Sequence, residues 1–285
     1  MKGRSVVEVL AVFAFLQLII ILLEGASGLV RWERRVLGWS YFTGFLMVLV
    51  STLALVLQKR ELEPSGLTLR GWETSLDAGL KGFLFLVGPR LLLTLLSSRG
   101  AAYLYADGSL VLSVAMFFAL FLLLRHLTGK SYRPFSSVRV RLVLAVLVLV
   151  FPLVLGAALG RLSLGVFSTV LWQLAFGGFA EELFYRGYIQ STVNEEYGRP
   201  WSVEGVAYGP GLLVSSALYG LDRALNTFRP LQGVYRVSWS WGFYAFSVGV
   251  FYGFIREHTG DVVGSGVANG LVDSVGEALN TLFGR

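Results

Sequence analysis

The chain has 285 residues, 55% of them hydrophobic and only 15% charged, with a mean hydropathy of +0.66. Soluble domains carry about 25% charged residues, so an ordinary soluble globular fold is excluded. There is no cysteine and there are two histidines, His126 and His258, which excludes disulfides and thiolate metal sites and leaves almost no basis for an imidazole-held zinc. The net charge of +6, with no basic domain outside the apolar runs, fits loop charge facing anionic lipid and speaks against nucleic-acid binding.

Apolar runs of about 18–20 residues, the length that crosses a bilayer as a helix, recur along the whole chain. In order, the expected spans are Val6–Leu23, Ser40–Leu57, Leu80–Leu96, Ser109–Leu124, Leu142–Leu159, Val166–Tyr185, Gly211–Leu221, Trp239–Ile255 and Val262–Val275. The third is interrupted by Gly88-Pro89-Arg90, which predicts a kinked or partly interfacial segment. The seventh and ninth are short, with ionisable residues at their ends. The expected architecture is an all-α polytopic bundle of about eight spans forming a single membrane domain, with no internal repeat. Lys2 and Arg4 before the first run imitate a signal peptide, but the run is long for one and lacks a small-x-small cleavage site, so it reads as a retained helix.

Lysines and arginines in short loops set orientation. With the N-terminus inside, the inner loops up to the fifth span hold Lys2, Arg4, Lys59, Arg60, Arg70, Arg125, Lys130, Arg133, Arg139 and Arg141, against Arg31, Arg34, Arg35, Arg99 and Arg161 outside. That bias predicts a cell-membrane protein with a cytoplasmic N-terminus, and puts Glu181 towards the cytoplasmic half of its helix.

Ionisable groups at membrane depth cost ~2.5–3.5 kcal/mol on the mildest scale and so mark candidate sites. The first cluster is AEELFYRGY, at the end of an uncharged run. Glu182 and Arg186 are i,i+4 neighbours able to pair, while Glu181 points about 100° away and is left free. The second is Asp222 and Arg223 in SSALYGLDRALN. The third is Asn269 and Asp273 in VANGLVD, on one helical face. The fourth, Lys81 and Arg90, reads as long stems snorkelling to the interface.

EELFYRGYIQ resembles the EExxxR motif of the CPBP family of membrane proteins, which includes type II CAAX prenyl endopeptidases and bacteriocin-processing or self-immunity proteins. In the same order, SSALYGLDRALN resembles the FxxxH motif, with Tyr219 at the Phe position and Arg223 at the His position. AFSVGVFYGFIREHTGD resembles the family's small-residue helix and the turn after it. VANGLVD resembles HxxxN or HxxxD, with Asn269 and Asp273 at its two positions. The resemblance covers 142–275, with the helices of 1–141 in front. It implies that Glu181 is the base activating a water, that Glu182 and Arg186 support it, and that Asn269 and Asp273 flank the oxyanion.

Both family histidines are absent here. An Asn269 amide still donates to an oxyanion, but the Arg223 guanidinium cannot accept a proton at any accessible pH. If Arg223 reached Glu181 it would pair with it and leave a poorer base. Positioned acid–base help is worth about 10²–10⁴-fold, which is the size of the expected defect. His126 and His258 read as interfacial residues. Glu181, Glu182, Asp222 and Asp273 offer oxygen atoms to a hard cation in principle, but Arg186 and Arg223 would repel it, so no metal and no cofactor is expected.

Two functional classes follow. One is an intramembrane endopeptidase acting on a lipidated or membrane-embedded peptide, with Glu181 as base. The other is a catalytically silent member that keeps the fold to bind lipid, peptide or a protein partner, with Glu182–Arg186 and Glu181–Arg223 as structural pairs. A transporter is disfavoured by the lack of repeats and paired broken helices.

Overall fold

A computed structural model describes residues 3–98, 102–129, 132–135 and 137–283. Lys2, Arg99 and Lys130, which entered the charge count, lie outside them. The chain is an all-α bundle: α1 (Arg4–Ala26), α2 (Gly28–Leu37), α3 (Tyr41–Leu57), α4 (Trp72–Ser98), α5 (Ala102–Thr128), α6 (Val138–Ala158), α7 (Leu164–Trp172), α8 (Ser191–Tyr197), α9 (Pro210–Leu225), α10 (Trp239–Thr259) and α11 (Val263–Phe283). Two short antiparallel hairpins follow α8 and α9: β1 (Trp201–Val203) with β2 (Val206–Tyr208), and β3 (Phe228–Arg229) with β4 (Val234–Tyr235).

Local chemistry sets the helix ends. Ser40, Ser137 and Ser163 each sit in extended backbone and accept a hydrogen bond from the amide three residues on, starting α3, α6 and α7. Gly260, at φ 81°, ends α10 with its N–H on the Arg256 carbonyl. At Gly88-Pro89-Arg90, where a kinked or partly interfacial segment is expected, α4 runs on through Pro89.

Among the described residues three helices, α1, 111–128 of α5, and α6, are long and apolar enough to cross a membrane, and a fourth span arises if α2 and α3, bent by 118°, count as one. The remaining expected spans are the helices that carry the buried charges, and these pack against one another. Leu76, Leu86, Met116, Phe251, Ile255 and Leu271 belong to one core shared by α4, α5, α10 and α11. Phe13, Leu16, Leu55, Phe184 and Tyr188 belong to a second, shared by α1, α3, α9 and the helix that carries the glutamates.

That helix is a single rod. From α7 it continues through a π-helical stretch, Gln173–Ala180, one α-helical step at Glu181 and Glu182, a second π-helical stretch, Leu183–Gln190, and α8. Glu181 therefore stands near the middle of a rod of roughly 50 Å at about 1.5 Å per residue, rather than near the inner end of a span closing at Tyr185. π-Helical turns are rare and concentrate at functional sites. Here they flank the two glutamates.

Candidate functional site

The rod can come this close to α11 because both helices are stripped of side chains at the crossing. A Cβ on Gly178 would stand 2.8 Å from the Gly266 carbonyl oxygen and 2.8 Å from Gly270 Cα. Backbone lies on backbone there, which brings Asn269 to the rod. Its Nδ2 donates to the Gly177 carbonyl at 2.7 Å and to Glu182 Oε1 at 3.2 Å.

Glu182 and Arg186 pair as the i,i+4 spacing predicts. Arg186 Nη1 donates to Glu182 Oε1 at 2.9 Å and Nη2 to the Gly249 carbonyl at 2.7 Å, tying the rod to α10. Glu182, Arg186 and Asn269 are each 0% exposed. A buried charge pair persists only with such extra hydrogen bonds. The three form a closed knot between the rod, α10 and α11.

Glu181 points elsewhere, as its helical offset requires, and meets Arg223 of α9. Arg223 Nη2 lies 2.5 Å from both carboxylate oxygens. Glu181 is 3% exposed. Tyr219 stands between the two ion pairs, with the Arg223 guanidinium 4.9 Å and that of Arg186 5.0 Å from its ring centre, both in cation–π range. Tyr185 meets the Tyr219 ring edge-on at 5.1 Å.

Asp222 accepts from Gln17 Nε2 of α1 at 2.6 Å. Asp273 lies 3.3 Å from Arg90 Nε of α4, and Arg90 also pairs with Glu277. The interfacial reading of Lys81 and Arg90 is therefore corrected. Arg90 is buried between α4 and α11, and Lys81 is buried against Asp77 at 2.8 Å and the Arg133 carbonyl at 2.8 Å. A long cation can fold inward when carboxylates on the same or a facing helix replace its water.

Two cavities meet at Arg223. One, of about 120 Å³, lies between α4, α9, α10, α11 and the rod, lined among others by Arg90, Gln173, Tyr252 and Asp273. The other, of about 320 Å³, lies behind the second half of α1 and reaches Glu181 and Asp222. Trp39 and Trp172, stacked at 4.6 Å, and Asn226 line both. Neither cavity is lined by His126, His258 or Asn269. Among the described residues no three His, Cys, Asp or Glu side chains cluster as metal ligands.

Thus the structure brings Glu181 to Tyr219 and Arg223, and Glu182, Arg186 and Asn269 to one another, and places Asp273 on a separate ion pair. Sequence reading did not find Gln17, Arg90 as the partner of Asp273, or the Trp39–Trp172 pair. Gln17 of α1 and Trp39, between α2 and α3, come from the N-terminal part of the chain, where no motif flags them. The sequence signal available for Arg90 was a cation within an apolar helix facing two carboxylates at i,i+4 spacing, Asp273 and Glu277.

Residues 163–275 match the family model described as type II CAAX prenyl endopeptidase Rce1-like. No curated protein matches the chain. No solved structure matches it either.

Proposed function

We propose that this chain, which belongs to the CPBP family of CAAX protease-like integral membrane proteins, is a silent member that binds in its cavity and does not hydrolyse what it holds. The observation that carries this reading is the Arg223–Glu181 pair. Both oxygens of the carboxylate that would activate water are engaged by a permanently charged guanidinium. The residues that the resemblance makes its supports, Glu182 and Arg186, are paired as their i,i+4 spacing predicts. Asn269, the candidate oxyanion donor, spends its amide N–H groups on Gly177 and Glu182. An oxyanion donor must aim at the position where the charge develops, and Asn269 lines neither cavity.

The partner held there is read as membrane-borne, because one cavity is walled by α1, a helix that faces lipid along most of its length. The loop charge favours a cytoplasmic N-terminus in the cell membrane. The test is peptide hydrolysis in liposomes, with prenylated and unprenylated libraries read by mass spectrometry. The expected result is the same product profile for the wild type and for Glu181→Ala. Products lost in Glu181→Ala would establish an endopeptidase instead.

A further inference from the structure

The cavity behind α1 is lined on one side by apolar residues of the second half of that helix. In the first half of α1, Val9, Phe13 and Leu16 are buried, and no residue after Leu16 is. At helical spacing the same face runs on through Ile20 and Glu24, with Gln17 and Ile21 beside them. These four line the cavity, facing Met47 of α3 and Phe176 of the rod. The opposite side of the same half-helix exposes Leu18 and Leu22, as a lipid-facing surface does. The hollow inside is polar at Gln17, Glu181, Asp222 and Arg223 and apolar along Ile20, Ile21, Met47 and Phe176, and that apolar side leaves room for a chain from the bilayer.

The hollow is lined by as many cations as carboxylates, Arg34, Arg223 and Arg229 against Glu24, Glu181 and Asp222. Arg34 is paired with Glu24, but Arg229 has no carboxylate partner among the described residues. Arg31 and Arg35 of α2 and Arg236 after the β3–β4 hairpin are exposed at the same end. Trp32, Tyr235 and Trp239 are exposed there as well, and such aromatic side chains sit at the headgroup level of a membrane. α2 itself has Leu29, Trp32 and Val36 exposed along one stripe, with Val30 and Glu33 buried. That is the pattern of a helix lying in the interface beside anionic headgroups.

We propose that the cavity holds an anionic phospholipid, with its phosphate at Arg229 and one acyl chain along Ile20, Ile21 and Met47. Basic pockets between membrane helices take anionic headgroups, and the apolar wall distinguishes a lipid from a free phosphate. This deepens the proposed function, since it rests on reading the cavity as a binding site and not a proteolytic one.

The test titrates the full chain in detergent with phosphatidylglycerol, with phosphatidylcholine of the same chains, and with glycerol 3-phosphate, read by native mass spectrometry and thermal unfolding. Phosphatidylglycerol should bind about tenfold more tightly than phosphatidylcholine. Arg229→Glu should abolish that preference. Ile21→Trp, which fills the chain track, should weaken both lipids. A preference that survives Arg229→Glu, or displacement of phosphatidylglycerol by equal glycerol 3-phosphate, would overturn the proposal, the second by making the site one for free phosphate. Glu181-dependent peptide cleavage by the same preparation would overturn the proposed function instead, and leaves the lipid preference readable.

Discussion

Arg223 Nη2 lies 2.5 Å from both carboxylate oxygens of Glu181, and the contact joins α9 to the helix that carries both glutamates. The contact exists because the rod runs from Leu164 to Tyr197 and carries Glu181 to its middle. It converts the one carboxylate that EExxxR spacing leaves free into half of an ion pair, while the other half of the motif stays closed on itself.

If the pair is structural, its two members are strongly coupled. Glu181→Gln and Arg223→Gln should each destabilise the protein by about 3 kcal/mol, near the low end for buried pairs because Arg223 is 19% exposed. The double variant should recover most of that loss. A double-mutant cycle by thermal or denaturant unfolding in detergent checks it, and additive losses would mean that the pair contributes nothing.

The rod–α11 crossing makes a second, steric prediction. Gly178→Ala would set a Cβ 2.8 Å from backbone atoms of Gly266 and Gly270, and should cost about 1–3 kcal/mol by forcing the helices apart. Gly28→Ala, where a Cβ meets nothing within 4 Å, should change stability by less than about 0.5 kcal/mol. Unfolding of the two variants side by side separates a packing effect from a general intolerance of alanine.

Arg90 is expected to be a stabilising cross-link. Arg90→Met should cost about 3–5 kcal/mol, because it leaves Asp273 and Glu277 of α11 facing a buried apolar side chain. Arg90→Lys should recover part of the loss, since a point charge replaces the two-armed guanidinium. The readout is the unfolding midpoint; a neutral Arg90→Met would restore the interfacial reading of this residue.

These residues show how far the sequence carries the account. Spacing makes the Glu182–Arg186 pair legible, because i,i+4 on a helix is a contact in itself. Spacing also puts Asn269 and Asp273 on one face, but a face is not a partner: one goes to Glu182 and the other to Arg90. Lys81 and Arg90 were misread because snorkelling assumes that water is the nearest polar medium, whereas in a folded bundle a carboxylate is nearer. The π-helical stretch before Glu181, QLAFGGFA, leaves no periodic signature in an uncharged run. Nor does any motif point to Gln17, whose contact with Asp222 depends on how α1 docks.

Orientation is directly measurable because the chain has no cysteine of its own. Glu204→Cys, in the exposed turn between β1 and β2, should react with a membrane-impermeant maleimide from the cytoplasmic side only. Arg236→Cys, beyond β4, should react from the outer side only. The reverse pattern would invert the topology without altering the site.

The most direct measurement of the central claim, that Arg223 holds Glu181 out of catalysis, is peptide cleavage in liposomes by Arg223→His combined with Asn269→His, beside the wild type. The account predicts no Glu181-dependent product from the wild type, and product from the double variant that disappears when Glu181→Ala is added. Glu181-dependent cleavage by the wild type, reduced when Arg223 becomes histidine, would contradict it and make the Glu181–Arg223 pair part of a working site.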